Sequence, residues 1–354
     1  MAEKGGIKIT AKVSSEYNGS LRPRVLVLAS EALFPHFFSD SMLARLSEIS
    51  DWQCFCPPGE EQADLPELIA QSDALITTWH SPFLRAEWFH PQKNARTRLI
   101  AHCGGEIKAR MEEAVVDLVT VTNAPEPMAE GVAEMALAFM LMLVRRIPQY
   151  SEEMRAGKNR ANDYASVGES ARGRKVGIVG FGRIGRAFAR IANPLGVELF
   201  VSDPFCSAEA AIRENVRLVE LDQLLSSCSV VILAAALTPY TRHMLDGRRL
   251  SLLSDGAYLI NVGRGGLIEM QALITELRKG RITAGLDVTD PEEPLPPDHI
   301  LRTLPNVYLT PHIAAGGIEV RAAIGAVAVE EVARFFNGEP VLHRVTREML
   351  ATMT

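Results

Sequence analysis

Three kinds of reactive side chain stand near the ends of predicted strands in the second half of the chain. Arg264 follows an apolar run in a glycine-rich turn, and His312 follows Thr310-Pro311 at the end of another run. Between them, Glu292 and Glu293 lie in a proline-rich loop. Because ligands bind where parallel strands end, these residues can act together as a catalytic set. Taken singly, each also fits a structural role, as an anion anchor, a turn residue or a solvated loop residue.

A glycine-rich turn precedes this region and has the spacing of a dinucleotide-binding motif. The apolar run Val176–Val179 leads into the sequence GFGRIG at 180–185, and a helical pattern follows. Gly180 permits the tight turn, and Gly182 lets the backbone approach a pyrophosphate. The N–H groups that we expect to point at the phosphates from the start of the helix belong to Gly182, Arg183 and Ile184.

An acidic residue follows the next predicted strand. Val197–Ser202 ends at Asp203, which stands 18 residues after Gly185. A carboxylate in this place accepts hydrogen bonds from the adenosine ribose and repels a 2′-phosphate. Pro204 and Phe205 come next and supply no cation for such a phosphate. The sequence therefore predicts NAD as the cofactor, although Asp203 also fits an ordinary turn after a strand.

Length and charge limit the class of protein. The chain has 354 residues, 47% of them hydrophobic and 23% charged, with a net charge of −6. A single core rarely serves more than ~300 residues, so two domains are expected. The negative net charge offers no basic surface for nucleic acid, which we therefore do not expect as a partner.

Signals for export, membranes and metals are weak. Residues 1–20 lack the apolar core of a signal peptide. The longest apolar run, Met135–Val144, has ten residues, whereas a membrane helix needs ~20. Five scattered cysteines suit neither a disulfide framework nor a zinc site. We expect a cytoplasmic protein with no metal and no membrane attachment.

Strand-like runs alternate with helical patterns from Arg24 onward. The predicted strands of the first part are Val25–Leu28, Trp52–Phe55, Ala74–Thr78, Arg98–Ala101 and Leu118–Thr122. Those of the second part number six and are Val176–Val179, Val197–Ser202, Ser229–Leu233, Ala257–Asn261, Thr283–Asp287 and Val307–Thr310. This alternation predicts an α/β protein with two doubly wound parallel-sheet domains, a Rossmann NAD-binding domain and a flavodoxin-like substrate domain. We assign residues 1–125 and 320–354 to the substrate domain, and 126–319 to the NAD-binding domain.

One predicted helix stands out because it has no polar face. Met128–Ile147 is apolar almost all the way round and stops at Pro148. A helix of this kind is buried on every side, between domains or between subunits. We therefore predict a homodimer with this helix in the interface, since two-fold dimers are the commonest closed assembly.

Five motifs together resemble one known family, the D-isomer-specific 2-hydroxyacid dehydrogenases. They are GFGRIG (180–185), LTPYT (237–241), INVGRGGLIE (260–269), AGLDVTDPEEPLP (284–296) and LTPHIAA (309–315). The last two are most similar to the glyoxylate/hydroxypyruvate reductase branch. The resemblance covers about residues 118–337 well and is weaker in the first hundred residues.

The resemblance implies a role for each member of the catalytic set. Arg264 would hold the substrate carboxylate, for which a planar guanidinium is well shaped. His312, as imidazolium, would protonate the 2-keto oxygen while the nicotinamide delivers a hydride. Glu292 would orient the imidazole ring and raise its pKa. The implied reaction is a hydride transfer between NAD(H) and a small 2-keto or 2-hydroxy acid.

The same resemblance assigns the remaining site residues. Those implied at the cofactor, besides Arg264 and His312, are Ala236, Val262, Asp287 and Ala314, with Asp287 facing the carboxamide. Those implied at the substrate, besides Arg264, are Trp79, His80, Gly104 and Gly105. The glycine loop HCGGE at 102–106 is one residue shorter than the usual family loop, which affects the substrate side.

Two questions stay open at the level of sequence. The loop after Asp287 has one glutamate more than usual. Counting from Asp287 favours Glu292 as the partner of the histidine, whereas adjacency to the proline favours Glu293. We choose Glu292.

A binding protein that senses NAD and keeps the fold is the alternative to an enzyme, because fold alone does not imply function. The presence of the whole catalytic set favours the enzyme.

Overall fold

The computed structural model describes residues 22–55, 65–90, 96–158, 167–291, 293–351 and 353. The chain forms two units. One contains the described residues up to Met128 and those from Ile318 onward, and the other contains Ala129–Gly317. Each unit is built on one parallel sheet, of five strands in the first and seven in the second. These two α/β sheets confirm the predicted fold class.

The five-stranded unit has the strand order of a flavodoxin-like sheet. Its strands are β1 (Arg24–Leu28), β2 (Asp51–Phe55), β3 (Ala74–Thr77), β4 (Leu99–His102) and β5 (Thr120–Thr122). Their order across the sheet is β2-β1-β3-β4-β5, and every neighbouring pair is parallel. The central strands are buried along their whole length because helices cover both faces.

The helices of this unit come from both ends of the chain. They are α1 (Phe34–Phe37), α2 (Asp40–Ile49), α3 (Leu65–Gln71), α4 (Val115–Leu118), α12 (Ile318–Phe336) and α13 (Arg347–Leu350). The chain leaves the helical conformation at Phe38, between α1 and α2, and Ser39 caps α2 by accepting the N–H of Met42. Turns precede α4.

The seven-stranded unit has the doubly wound order of a Rossmann domain. Its strands are β6 (Lys175–Val179), β7 (Glu198–Ser202), β8 (Arg217–Leu218), β9 (Val230–Leu233), β10 (Tyr258–Asn261), β11 (Thr283–Leu286) and β12 (Val307–Leu309). They lie in the order β12-β11-β10-β9-β6-β7-β8, so the topological switch point is between β6 and β9. The expected six strands are all present, and the expected number was too low because β8 has only two residues, both exposed.

Helices cover both faces of the seven-stranded sheet. They are α5 (Pro125–Val144), which starts in the preceding unit, α6 (Ile147–Arg155), α7 (Arg183–Ala192), α8 (Ala208–Arg213), α9 (Leu221–Ser227), α10 (Gly247–Ser251) and α11 (Met270–Arg278). Arg146 is in the left-handed region, with φ of +53°, and separates α5 from α6. A connection follows α6 and leads to β6, and its residues 159–166 lie outside the described residues.

Helix α5 is only partly buried. Its inward side, which includes Ala133, Ala136 and Met140, belongs to the core of the seven-stranded unit. Glu130 and Glu134 are exposed on another side, so burial on every side is not what the structure shows. By length and apolar content this helix would suffice to cross a membrane, yet half of that stretch is buried in the protein, as in the core helix of a folded domain.

Candidate active site

The glycine turn before α7 has the shape that a dinucleotide pyrophosphate needs. Gly180 has φ of +91°, and a Cβ there would stand 2.5 Å from the backbone of Ala235. At Gly182, by contrast, an added Cβ would meet no atom within 4 Å. The first turn of α7, with Arg183 and Ile184, carries no acidic residue. Open space at the positive end of a ten-residue helix therefore fits the phosphates of NAD.

The predicted ribose acceptor, Asp203, is fixed directly against this turn. One carboxylate oxygen accepts the N–H of Phe181 at 2.5 Å. The other accepts the N–H of Phe205 at 2.7 Å. Each carboxylate oxygen retains a second lone pair, so the group still has acceptors for ribose hydroxyls. Asp203 thus joins the end of β7 to the glycine turn, a contact that the sequence did not reveal.

The three small residues predicted to line the cofactor cleft follow three strands of the same sheet. Ala236 follows β9, and its carbonyl accepts the Thr241 hydroxyl at 2.6 Å. Val262 follows β10 and is 4% exposed, and Ala314 follows β12 and is 7% exposed. All three therefore lie at the carboxyl edge of the sheet, where the predicted cleft should be, and β9 is the neighbour of β6.

Asp287 organises the loop that carries His312. This carboxylate is 1% exposed and accepts three hydrogen bonds, from the hydroxyl of Thr310 and the N–H groups of Ile313 and Ala314. Its carbonyl accepts the N–H of His312 at 2.9 Å. His312 itself has φ of +54°, a strained conformation for a residue with a side chain. The contact predicted between Asp287 and the nicotinamide stays a prediction.

The partner of His312 in the structure is Glu293. Its carboxylate lies 3.1 Å from Nδ1 of His312, and both side chains are partly exposed. This hydrogen bond raises the pKa of His312, against the lowering effects of partial burial and of the positive charge of Arg264. The contact favours Glu293 over the predicted Glu292, which lies outside the described residues. The extra residue of this loop therefore stands before the glutamate that reaches the histidine.

Arg264 is positioned by the residue that ends β10. Asn261, fully buried, donates its side-chain amide to the carbonyl of Arg264 at 2.9 Å and accepts the N–H of Gly263. The guanidinium of Arg264 donates to the carbonyl of Gly263 at 2.9 Å. The positive charge of this guanidinium lowers the pKa of His312. The structure therefore brings a guanidinium, a carboxylate and an imidazole together in the seven-stranded unit, from Arg264, Glu293 and His312.

The residues predicted at the substrate lie at strand ends of the five-stranded unit. Trp79 follows β3, packs edge-on against Phe37 with ring centroids 5.2 Å apart, and lies under the guanidinium of Arg321 at 5.6 Å. His80 is exposed, and its Nδ1 is 3.3 Å from the hydroxyl of Ser30. These positions agree with a ligand-binding edge, but substrate contact stays a prediction.

Gly104 and Gly105 follow β4 beside a histidine that sequence reasoning missed. A Cβ on Gly104 would clash with the ring of His102 and would lie 3.1 Å from the indole nitrogen of Trp79. His102 is 2% exposed and hydrogen-bonds to Thr77 at 2.8 Å. Burial, with a smaller effect of Arg110, lowers the pKa of His102 to about 3, so the ring is neutral. Its place as the last residue of a buried strand was the available signal.

Two other groups of residues bear on the chemistry. The described part of the chain holds no cluster of three or more histidines, cysteines and carboxylates that would bind a metal ion. Cys54, Cys103, Cys206 and Cys228 are free thiols, and Cys56 lies outside the described residues.

Comparison with known proteins identifies the family. Residues 137–314 match the model of a protein family described as the NAD binding domain of D-isomer specific 2-hydroxyacid dehydrogenases. A glyoxylate reductase from Korarchaeum cryptofilum is 31% identical over 86% of this chain and 91% of its own length. D-3-phosphoglycerate dehydrogenase 2 from Arabidopsis thaliana is 33% identical over 96% of this chain, which spans only 52% of that relative.

A solved structure gives the same result for the fold. The 2-hydroxyacid dehydrogenase from Ketogulonicigenium vulgare superposes with a TM-score of 0.76 at 26% identity, over 92% of this chain and 98% of that one. Together with the sequence matches and the geometry of the NAD turn, this shows that the chain belongs to the D-isomer specific 2-hydroxyacid dehydrogenases, a family of NAD-dependent oxidoreductases.

Proposed function

We propose that this protein reduces small 2-keto acids of the glyoxylate and hydroxypyruvate type to D-2-hydroxy acids, with NADH as the reductant. The observation that carries the proposal is the pair of Glu293 and His312, 3.1 Å apart, within the electrostatic reach of Arg264. A carboxylate beside the imidazole keeps it protonated toward neutral pH, as an acid catalyst for carbonyl reduction requires. The match to a glyoxylate reductase over most of both chains supports the substrate class.

Each residue of the set has one task in this reaction. The guanidinium of Arg264 holds the carboxylate of the keto acid, because its planar fork matches two carboxylate oxygens. His312 is oriented through Nδ1 by Glu293, and it donates a proton from Nε2 to the 2-keto oxygen. Bound NADH supplies the hydride that adds to C2. The hydroxy acid then leaves, and His312 regains its proton from solvent.

We also infer that NADH is preferred over NADPH. The carboxylate of Asp203 is fixed against the glycine turn by the N–H groups of Phe181 and Phe205. A fixed negative charge in this place would repel a 2′-phosphate.

A substrate panel tests the proposed activity. Purified protein is mixed with NADH and, in separate assays, glyoxylate, hydroxypyruvate, pyruvate or 2-oxoglutarate, and loss of the reduced-cofactor absorbance is followed. We expect glyoxylate and hydroxypyruvate to have the highest kcat/KM of the four acids. Tight binding of NADH without turnover of any acid would instead favour an NAD-sensing binding protein.

We propose a homodimer in which α5 and α6 form part of the interface. Leu137, Leu141 and Met142 of α5 are only partly buried. On α6, Ile147 is 57% exposed and Met154 is 56% exposed. Apolar side chains of this size on adjacent helices are typical of a surface that another subunit covers. Light scattering at micromolar concentration should give twice the chain mass, and a monomeric mass would contradict the proposal.

A further inference from the structure

Asp290 faces an arginine and a histidine of another loop, and none of the three has a role in the reaction described above. Its carboxylate lies 3.7 Å from the guanidinium of Arg242 and 3.7 Å from Nε2 of His243. Asp290 belongs to a segment here named the glutamate loop because it carries Glu293; its described residues are 288–291, 293 and 294. Arg242 and His243 belong to the segment 236–245, here named the threonine loop. The side chain of Asp290 is 24% exposed, so this charge is only partly screened by water.

The threonine loop is a fixed support. The hydroxyl of Thr241 accepts the N–H of Thr238 at 2.7 Å and donates to the carbonyl of Ala236 at 2.6 Å. The N–H of His243 donates to the carbonyl of Gly266 at 2.7 Å. His243 has φ of +53°, which shows that the surrounding contacts dictate its conformation. Arg242 and His243 are therefore presented to Asp290 from a defined backbone.

The glutamate loop also touches the turn that carries Arg264. A Cβ on Gly265 would clash with the carbonyl of Thr289 and would lie 2.6 Å from the backbone nitrogen of Asp290. The two backbones are thus in direct contact at Gly265. This packing positions the backbone of Thr289 in the glutamate loop. The side chain of the next residue, Asp290, lies within ionic distance of Arg242 and His243. Glu293 reaches His312 only three residues further on.

We propose that Asp290, held by Arg242 and His243, is a positioning residue that keeps Glu293 in contact with His312 and so sets the upper pH limit of reduction. The proposal rests on the proposed function, because it concerns the acid in that reaction. Among the described residues, the charged groups that act on His312 are Glu293, Arg264 and Asp287. Asp290 acts through the first of them.

The direction in which Arg242→Met shifts the pKa of His312 distinguishes a positioning role from a direct effect of charge. If Arg242 acted on His312 only through its field, removal of a positive charge would raise the pKa of His312. If it acts by holding Asp290, its removal loosens the contact between Glu293 and His312 and lowers that pKa. Reduction needs the imidazolium, so a lower pKa moves the upper pH limit downward. The two explanations thus predict opposite shifts for Arg242→Met.

The experiment compares the full-length protein with Arg242→Met, His243→Asn and Asp290→Asn. Asparagine is chosen at His243 because it tolerates positive φ. We expect the pH limit of glyoxylate reduction to move down by about 0.5 to 1 pH unit in all three variants, with partial recovery in Asp290→Glu. The matched control is Arg248→Met, which breaks an exposed arginine–aspartate pair of the same unit and should leave the limit in place.

A second readout makes the result independent of turnover. The titration of His312 is followed by NMR, with its signals assigned from the spectrum of His312→Asn. An upward shift or no shift in Arg242→Met, by NMR and by kinetics, would overturn the positioning role. If the unmutated protein reduces no keto acid, the proposed function fails, whereas the NMR titration still decides whether Asp290 controls the contact of Glu293 with His312.

Discussion

The strand ends of the two sheets use ionisable groups in different ways. In the seven-stranded unit, His312 follows β12, is partly exposed and has a carboxylate 3.1 Å away, which raises its pKa. In the five-stranded unit, His102 ends β4, is 2% exposed and bonds to a hydroxyl, and burial lowers its pKa to about 3. Two histidines near strand ends of the two parallel sheets therefore have pKa values that are shifted in opposite directions.

This difference assigns the two units different tasks. The seven-stranded unit concentrates the groups that exchange protons and pair charges, including Glu293 with His312 and Asp290 with Arg242. The strand ends of the five-stranded unit present Trp79 and the neutral ring of His102. The pH dependence of reduction should therefore come from the seven-stranded unit. The five-stranded unit should make the folded protein less stable as the pH falls, because His102 is buried as a neutral ring.

The largest expected effect is the loss of the acid itself. His312→Asn, which keeps a residue that tolerates positive φ, should lower kcat by about 10²- to 10⁴-fold, the usual contribution of general acid catalysis. The affinity for NADH, measured by fluorescence titration, should change little. His80→Gln, in the five-stranded unit, is the comparison and should leave most of kcat. If kcat fell equally in both variants, the acid catalyst could not be assigned to the seven-stranded unit.

The next effect concerns stability in acid. Unfolded histidine has a pKa of about 6.5, whereas His102 in the folded chain has a pKa of about 3. The unfolded chain therefore binds the proton first, and stability falls as the pH drops from 6.5 toward 3. At pH 5 the expected loss is about 2 kcal/mol. Urea unfolding at pH 7 and pH 5 should show a smaller difference for His102→Gln, and an unchanged difference would contradict a buried neutral ring.

The acid partner of His312 comes next in size. Its contact with Glu293 raises the pKa of His312, and reduction is present below that pKa and lost as the pH rises through it. Glu293→Gln should lower the pH limit by about one pH unit, a tenfold loss of rate above the limit. Glu292→Gln is the matched control. A shift in Glu292→Gln alone would restore the assignment made from the sequence.

The smallest expected effect is on the choice of cofactor. Asp203→Ala should narrow the preference for NADH, because it removes the charge that repels a 2′-phosphate. It also frees the N–H of Phe181, so NADH itself should bind about 2- to 10-fold more weakly, the net value of one hydrogen bond. Binding constants for NADH and NADPH measure both changes. Equal use of the two cofactors by the unmutated protein would show that Asp203 does not decide the preference.

Most of the architecture could be predicted from short stretches of sequence. Strands such as β1, β6 and β9 were expected within a residue or two, because a buried parallel strand is a short apolar run between turns. The glycine turn was equally accessible, since the positive φ at Gly180 favours glycine. The positions of Arg264 and His312 at one sheet edge follow from the order of strands alone.

Tertiary structure decided the features that depend on distant segments. The length of the glutamate loop allowed either Glu292 or Glu293 to reach His312, and only the path of the folded loop gives the observed contact to Glu293. The two-residue strand β8 has no local pattern that predicts it. The bond from Phe181 to Asp203 joins residues 22 positions apart. Local periodicity records which residues are buried, but the partner of a side chain is fixed only when separate loops pack against one another.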